Sequence, residues 1–203
     1  MLGETSAAWF REHTDCRIYA SAGEKRWIEN IDLQFQERPI PNFYGLAGRS
    51  SGVDVVVQNG DIIELEDGLS LEVIRTAGHS IEGMSYRLGK DMFIGDAIPV
   101  QGNIPIIINE PEMRKTLQRF KQLTEVNTFY PAWDMIYSEK MMRRKLQEAN
   151  ELLDSLKQAV VSQDEGDDLP VLVDKVCRVL NQNILKSNPL FATTIDCLRE
   201  RSV

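Results

Sequence analysis

The sequence predicts an α+β protein whose short strands come first and whose helices come after them. Up to about Tyr137, runs of alternating polar and apolar residues are separated by turns that contain glycine, which is typical of antiparallel β-hairpins. Beyond Tyr137, apolar residues recur with the spacing of one helix face. We therefore predict a domain of residues 1–137 and a helical extension of residues 138–203.

Composition indicates a soluble globular protein and excludes several classes. The 203 residues are 42% hydrophobic and 27% charged, which argues against long disordered segments. The net charge of −8 argues against a surface for nucleic acid or anionic membrane. No apolar run is long enough to span a membrane, and the first residues lack the pattern of a signal peptide, so we expect a cytoplasmic protein. Three widely separated cysteines without C-x-x-C spacing are expected to be reduced thiols.

Local patterns predict the elements before Tyr137. Two pairs of alternating runs, each joined by a glycine-containing turn, predict β-hairpins. Asn109 as a cap and Pro111 in the first turn predict the start of an amphipathic helix. In chain order we predict a helix (6–13), a strand (16–20), a loop rich in Pro, Gly and Ser (37–52), two hairpins (61–76 and 83–95), the helix after Asn109 and a strand (128–130).

Three helices are predicted after Tyr137. Ser138 is a suitable cap for a long helix, and Asn188-Pro189 is a typical helix opening. The other helix is predicted over residues 169–181, after a polar linker. The long helix places six apolar residues on one face: Met142, Leu146, Ala149, Leu153, Leu156 and Val160.

Two side chains are candidates for chemistry because each comes directly after a predicted strand. His79 lies in T-A-G-H-S at residues 76–80, and Asp96 lies in G-D-A at residues 95–97. Loops at strand ends present fixed side chains to ligands. A neutral imidazole and a carboxylate both suit zinc, manganese or iron. We expect the two residues to lie at adjacent strand ends with their side chains converging on one cleft.

These two segments, with S-Y at residues 85–86 and F-I at residues 93–94, resemble the metallo-β-lactamase superfamily of glyoxalase-II-like hydrolases. The resemblance covers residues 4–137 in order. It implies an αββα sandwich, incomplete at its N-terminal part, with a C-terminal helical extension. In that family the histidine matching His79 binds one metal ion and the aspartate matching Asp96 bridges two, and together they activate a water or hydroxide.

The sequence departs from the family at its main ligand cluster. The motif H-x-H-x-D-H is absent, and residues 2–10 resemble the family's segment directly after that motif. His13 does not replace it, since no second histidine lies two residues away. Two explanations stay open: the chain is a fragment of a longer hydrolase, or it is a short relative that needs no metal.

A second departure lies at Y-P-A-W-D, residues 130–134, where Trp133 stands at the position of the family's last histidine. Tryptophan is no metal ligand because its only polar group is an N–H donor. We expect Trp133 to be a buried apolar plug. Asp134 is the nearest available ligand, and a helix-capping role for its carboxylate stays open beside metal ligation.

The resemblance implies a metal-dependent hydrolase acting on a small-molecule substrate. Bound zinc, or iron or manganese, would yield a hydroxide that attacks an ester, thioester, lactone or amide carbonyl. His79, Asp96 and Asp134 would hold the metal, with Asp96 also the catalytic carboxylate, and residues 102–105 are a candidate pocket wall. Because most family ligands are missing, we expect weak or absent activity. The alternative is a degenerate, non-catalytic member that serves as a binding or oligomerisation module.

Self-association is also expected, most simply as a homodimer. A sandwich without its first strands leaves a sheet edge and an apolar face uncovered, and both favour pairing. The helical tail carries more apolar residues than one short helix pair buries. In the alternative, the tail folds back on its own sheet and the protein is a monomer. The apolar residues in question are Leu153, Leu156, Val160, Leu172, Val176 and Leu180.

Overall fold

The structure, a computed structural model, describes residues 7–163 and 166–199. The chain divides into two compact units, residues 1–59 and residues 60–203. The division by compactness precedes the first predicted hairpin. The predicted start of the helical extension, residue 138, is the cap of a long helix. Ser6, the predicted first residue of the N-terminal helix, lies outside the described residues.

The first unit combines short helices with a small parallel sheet. Tyr19 pairs with Val55, in a sheet of two strands. The strand predicted over residues 16–20 begins later than expected, and the segment predicted as loop contains a short helix. Asn30 caps the third helix, since its side chain accepts a hydrogen bond from the amide of Leu33 at 3.1 Å. The elements are α1 (Ala7–His13), β1 (Tyr19–Ser21), α2 (Ala22–Glu29), α3 (Ile31–Glu37), α4 (Phe43–Ala47) and β2 (Val55–Val57).

The second unit is built on a six-stranded sheet in the order β3-β4-β5-β6-β7-β8. All neighbouring strands are antiparallel except β6 and β7, which are parallel. Both predicted hairpins are confirmed, as β3–β4 and β5–β6. The strands are β3 (Ile62–Glu64), β4 (Ser70–Arg75), β5 (Met84–Leu88), β6 (Asp91–Gly95), β7 (Thr128–Pro131) and β8 (Tyr137–Ser138).

This strand order determines where the loops meet. Strands β4 and β6 both run antiparallel to β5, so they run parallel to each other. Strand β7 runs parallel to β6. The carboxyl ends of β4, β6 and β7 therefore lie at one edge of the sheet, and the loops that leave them are neighbours.

The described part of this unit also contains four α-helices, whose caps confirm the sequence prediction. Asn109 accepts a hydrogen bond from the amide of Glu112 at 3.0 Å, and Ser138 accepts one from the amide of Met141 at 3.3 Å. Asp168 caps the next helix in the same way. The helices are α5 (Glu110–Gln122), α6 (Glu139–Val161), α7 (Leu169–Val179) and α8 (Leu190–Arg199), with short 3₁₀ turns at Glu66–Gly68 and Asn183–Ser187.

Sheet and helices of the second unit share one hydrophobic core. Met92 and Phe129 of the sheet belong to the same buried cluster as Leu117 of α5, Leu153 of α6 and Phe191 of α8. All six apolar positions predicted for one face of α6 are buried. The helical tail thus folds back on its own sheet, and the oligomeric state stays a prediction. No helix among the described residues is long and apolar enough to cross a lipid bilayer.

Candidate active site

His79 lies in a loop that packs tightly against the start of α5. Thr76 begins this loop, and its hydroxyl lies 2.8 Å from that of Ser85. Gly78 has a φ of +128°, and a Cβ at this position would lie 2.6 Å from the Cα of Met113. Glycine is therefore required by both the backbone conformation and the close approach. The hydroxyl of Thr116 on α5 donates to the carbonyl oxygen of Ala77 at 2.7 Å, so His79 extends from a fixed loop.

Asp96 follows β6 through a glycine with a left-handed backbone. The φ of Gly95 is +51°, and the pairing register between β6 and β7 shifts between Phe93 and Gly95. The backbone turns here, because the amide of Ala97 donates to the carbonyl oxygen of Ile94 at 3.0 Å. Asp96 therefore leaves the sheet at its carboxyl edge.

The turn after β7 is hydrogen-bonded to Gly95 and Asp96 at the end of β6. The amide of Ala132 donates to the carbonyl oxygen of Gly95 at 3.0 Å. The next residue, Trp133, donates from its indole Nε1 to Oδ2 of Asp96 at 3.3 Å. Trp133 is 71% exposed. The prediction of a buried plug is therefore wrong: the turn is held at its backbone and by the indole N–H, and the ring lies at the surface.

The side chains of His79 and Asp96 converge as the sequence suggested. Nε2 of His79 lies 3.9 Å from Oδ2 of Asp96, with the two side chains 24% and 38% exposed. Their strands, however, are not adjacent, because β5 lies between β4 and β6. The side chains meet because β4 and β6 end at the same edge of the sheet.

Asp134 has partners of its own. Its Oδ2 accepts a hydrogen bond from the hydroxyl of Tyr137 at 2.7 Å and lies 2.9 Å from Nζ of Lys145. Its Oδ1 accepts from the amide of Met135 at 2.7 Å. These three donors lower the pKa of the Asp134 carboxyl from its ordinary 3.8 to about 2, the Tyr137 bond contributing most. Asp134 does not cap α6, because Ser138 does so.

Tyr137 and Lys145 were not singled out from the sequence. The side chain of Tyr137 is fully buried, and burial, reinforced by the Asp134 carboxylate, raises the pKa of its hydroxyl. Lys145 lies on α6, and its ammonium group is 5.5 Å from the centre of the Tyr137 ring. Aspartate and tyrosine three residues apart are too common to signal such a network. Only the packing of α6 against the turn brings the lysine to it.

The loop predicted as a pocket wall is attached to α8. Pro105 is buried, and its carbonyl oxygen accepts from the hydroxyl of Thr194 at 3.0 Å. The same hydroxyl accepts from the amide of Ile107 at 2.9 Å. Gly102 and Asn103 are exposed. A role for this loop in a pocket stays a prediction.

His79 and Asp96 provide two possible ligands for a divalent ion, and a third is missing. Two ligands of a tetrahedral zinc ion lie about 3.4 Å apart, so their 3.9 Å separation needs only a small adjustment. A catalytic zinc ion usually has three protein ligands. In residues 7–163 and 166–199, no group of three or more His, Cys, Asp or Glu is placed to hold a metal ion. The described residues therefore do not fit a complete catalytic metal site.

Solved structures with this architecture are found in several organisms. A metallo-beta-lactamase family protein from Thermus thermophilus superposes with a TM-score of 0.67 at 15% identity, over 95% of this chain and 67% of its own. A beta-lactamase domain protein from Burkholderia ambifaria superposes with a TM-score of 0.68 at 14% identity, over 96% of this chain and 63% of its own. The chain has the metallo-β-lactamase fold.

A metallo-beta-lactamase superfamily protein from Sulfolobus tokodaii shares the metallo-β-lactamase fold at a TM-score of 0.55 and 16% identity, over 95% of this chain and 73% of its own. The chain thus spans between 63% and 73% of the length of these three structures. No protein-family model matches the sequence, and no curated protein matches it significantly.

Proposed function

We propose that the chain carries part of the centre of a metallo-β-lactamase-fold hydrolase, and that His79 and Asp96 are its ligands to a metal ion. The observation that carries the proposal is the 3.9 Å approach of Nε2 of His79 to Oδ2 of Asp96 at the sheet edge. Two residues in separate loops are each fixed by tight backbone contacts. Such an arrangement fits a site for a ligand more readily than a packing requirement, since both side chains are partly exposed.

Zinc, or iron or manganese, bound there would supply an activated water for attack on an ester, thioester or lactone carbonyl. His79 would contribute its imidazole nitrogen, and Asp96 would contribute a carboxylate oxygen that also accepts hydrogen bonds from a bound water. The substrate we propose is a small carbonyl compound. Its identity is not specified by the fold, because one fold hosts many reactions.

The described residues do not complete this centre, so we expect turnover by the chain alone to be weak or absent. Further ligands would have to come from residues that the structure does not describe or from another chain. The chain spans about two thirds of the length of the structures it resembles, so the activity of a whole protein of this fold is itself a proposal here.

A second candidate function is a non-catalytic binding or oligomerisation module. The observation that favours it is the aromatic pair of Phe93 and Tyr130, whose ring centres stack 5.1 Å apart on neighbouring strands. Phe93 alternates along β6 with the buried Met92 and Ile94, so it lies on the face of the sheet away from the core. A homodimer through this face is our proposal for the oligomeric state.

The proposed location is the cytoplasm. Cys16, Cys177 and Cys197 are thiols, and thiols persist in a reducing compartment. Fusion of the chain to a redox-sensitive reporter and imaging in cells would check this location.

Zinc titration by isothermal calorimetry tests the hydrolase proposal. We expect one weak site per chain, with affinity reduced at least about tenfold in His79→Ala and in Asp96→Asn, because each variant removes or neutralises one of the two proposed ligands among the described residues. His13→Ala is the matched control, since it removes the other histidine of the chain. Hydrolysis of a chromogenic ester and a chromogenic β-lactam is followed in parallel.

Three outcomes separate the alternatives. Weak zinc binding that depends on His79 and Asp96, with little turnover, supports the incomplete centre. Absence of binding at millimolar zinc favours the binding module. Robust turnover that disappears in His79→Ala would mean that ligands complete the site in a way the described residues do not indicate.

A further inference from the structure

One carboxylate oxygen is shared by two neighbours at the candidate site. Oδ2 of Asp96 is the oxygen that faces Nε2 of His79 at 3.9 Å, and it is also the acceptor of the Trp133 indole N–H at 3.3 Å. A metal ion held between His79 and Asp96 in this geometry would meet the same oxygen that accepts the indole N–H. The indole group is only a donor, so it offers nothing to a cation in return.

The turn that carries Trp133 is held in place by contacts on both sides of that residue. On one side, the amide of Ala132 donates to the carbonyl oxygen of Gly95 at 3.0 Å. On the other side, Asp134 binds the hydroxyl of Tyr137 at 2.7 Å and the ammonium group of Lys145 at 2.9 Å. Tyr137 is fully buried and Lys145 lies on α6. These contacts hold the turn on both sides of Trp133, and from it the exposed indole reaches Asp96.

A donor at this position also opposes a cation electrostatically. The hydrogen of an N–H group carries the positive end of its dipole, and here that end points at Oδ2 of Asp96. A cation approaching the same oxygen would meet this positive end, or would have to displace the indole. Displacement breaks the hydrogen bond between the indole N–H and the carboxylate, which at 3.3 Å is long for an N–H···O bond, so we expect a modest effect.

We propose that Trp133 is a specificity-determining residue that competes with a divalent cation for Oδ2 of Asp96 and so weakens metal binding at the His79–Asp96 pair. This rests on the proposed function, because it concerns the same pair of ligands. Asp134 acts as a positioning residue in this scheme, since it holds the turn and contacts neither His79 nor Asp96 in the hydrogen bonds described. The chain therefore favours the hydrogen-bonded state of its site over the metal-bound state.

Removal of the indole N–H with retention of an aromatic ring tests the proposal. We expect Trp133→Phe to bind zinc about threefold to tenfold more tightly than the unmodified chain, which is the effect of one lost competing hydrogen bond. Trp133→His, which replaces the donor by a possible third ligand, should bind more tightly still. Trp27→Phe is the matched control, because Trp27 also donates its indole N–H to a carboxylate, Oε2 of Glu37, at 2.7 Å.

Tryptophan fluorescence gives a second readout that needs no catalysis. Zinc binding to the unmodified chain should change the emission of Trp133 as its N–H leaves Asp96. The change should persist in Trp27→Phe and disappear in Trp133→Phe, although the latter binds zinc more tightly. Circular dichroism confirms that each variant is folded.

The outcomes distinguish a failure of this proposal from a failure of the proposed function. Unchanged or weaker zinc affinity in folded Trp133→Phe overturns the competition, even when His79→Ala still abolishes binding. Zinc affinity that is independent of His79 and Asp96 in every background overturns the proposed function instead. Binding that appears only in the Trp133 variants supports the competition in its strongest form.

Discussion

Replacement of Asp134 by asparagine tests whether the turn after β7 is held by charge. The change keeps the size of the side chain but removes the negative charge that faces Lys145 at 2.9 Å. The amide can still accept one hydrogen bond, so the loss is confined largely to the charge-assisted part of the contacts. We expect the variant to fold and to be less stable at neutral pH.

The magnitude follows from the pKa of Asp134. A decrease from 3.8 to about 2 corresponds to about 2 kcal/mol, since one pH unit is worth about 1.4 kcal/mol. The carboxyl is mostly buried, at 22% exposure, so solvent screening removes only part of this value. Because the folded-state pKa is depressed, the stabilisation is fully present above about pH 4 and is lost as the pH falls through about 2.

Urea denaturation of the unmodified chain and Asp134→Asn at two pH values measures this contribution. At pH 7 we expect the free energy of unfolding to fall by about 1–2 kcal/mol. At pH 3 the difference should shrink to about half, because the unfolded state then binds a proton that the folded state still excludes. Asp154→Asn is the control. The exposed carboxylate of Asp154 lies 2.8 Å from the guanidinium of Arg114, and exposed ion pairs contribute little to the free energy of unfolding.

Equal destabilisation by Asp134→Asn and Asp154→Asn would refute the reasoning. So would a difference that is independent of pH, because it would show that shape and not charge holds the turn.

Two further predictions concern packing and assembly. Gly78→Ala should lower the free energy of unfolding by about 3 kcal/mol in urea denaturation, because the added Cβ would lie 2.6 Å from the Cα of Met113. Gly89 also has a positive φ but has open space around it, so Gly89→Ala should cost only about 1 kcal/mol. Equal effects of the two variants would contradict the steric argument. The unmodified chain should sediment as a homodimer at micromolar concentration and the Phe93→Ser variant as a monomer, because Phe93 is a large apolar side chain that is 45% exposed. A single species near 23.1 kDa for the unmodified chain would contradict this prediction.

Local rules predicted the second unit better than the first. Hairpins and caps depend on residues close in sequence, so the β5–β6 turn and the cap at Asn109 could be predicted without the rest of the chain. Strand β2 has the composition of a strand, three valines, but it is only three residues long and pairs in parallel with the distant β1, so its partner could not be predicted from local pattern. Helices α2 and α3 join almost without a linker at Asn30, which obscures their separate periodicities.

The candidate site was predictable where it depends on strand ends. His79 and Asp96 each come after a strand, and the direction of those strands brings them together. The contacts of the turn after β7 were not predictable, because they depend on the depth at which α6 packs. The sequence alone suggested that Trp133 would be buried and left the role of Asp134 open. In the structure Trp133 lies at the surface and donates its indole N–H to Asp96, whereas the carboxylate of Asp134 is occupied by three donors.

The two carboxylates near the sheet edge differ in how their charge is balanced, and this difference decides which of them suits a cation. Asp134 already faces the ammonium group of Lys145 and the hydroxyl of Tyr137, so a metal ion would have to displace a full positive charge to use it. Asp96 faces an indole N–H and an imidazole, and a metal ion would displace only a dipole there. Displacing a dipole costs far less than separating an ion pair that is largely shielded from water. The geometry therefore favours Asp96 over Asp134 as a ligand to a cation, and the indole N–H of Trp133 is the group that a cation would have to displace there.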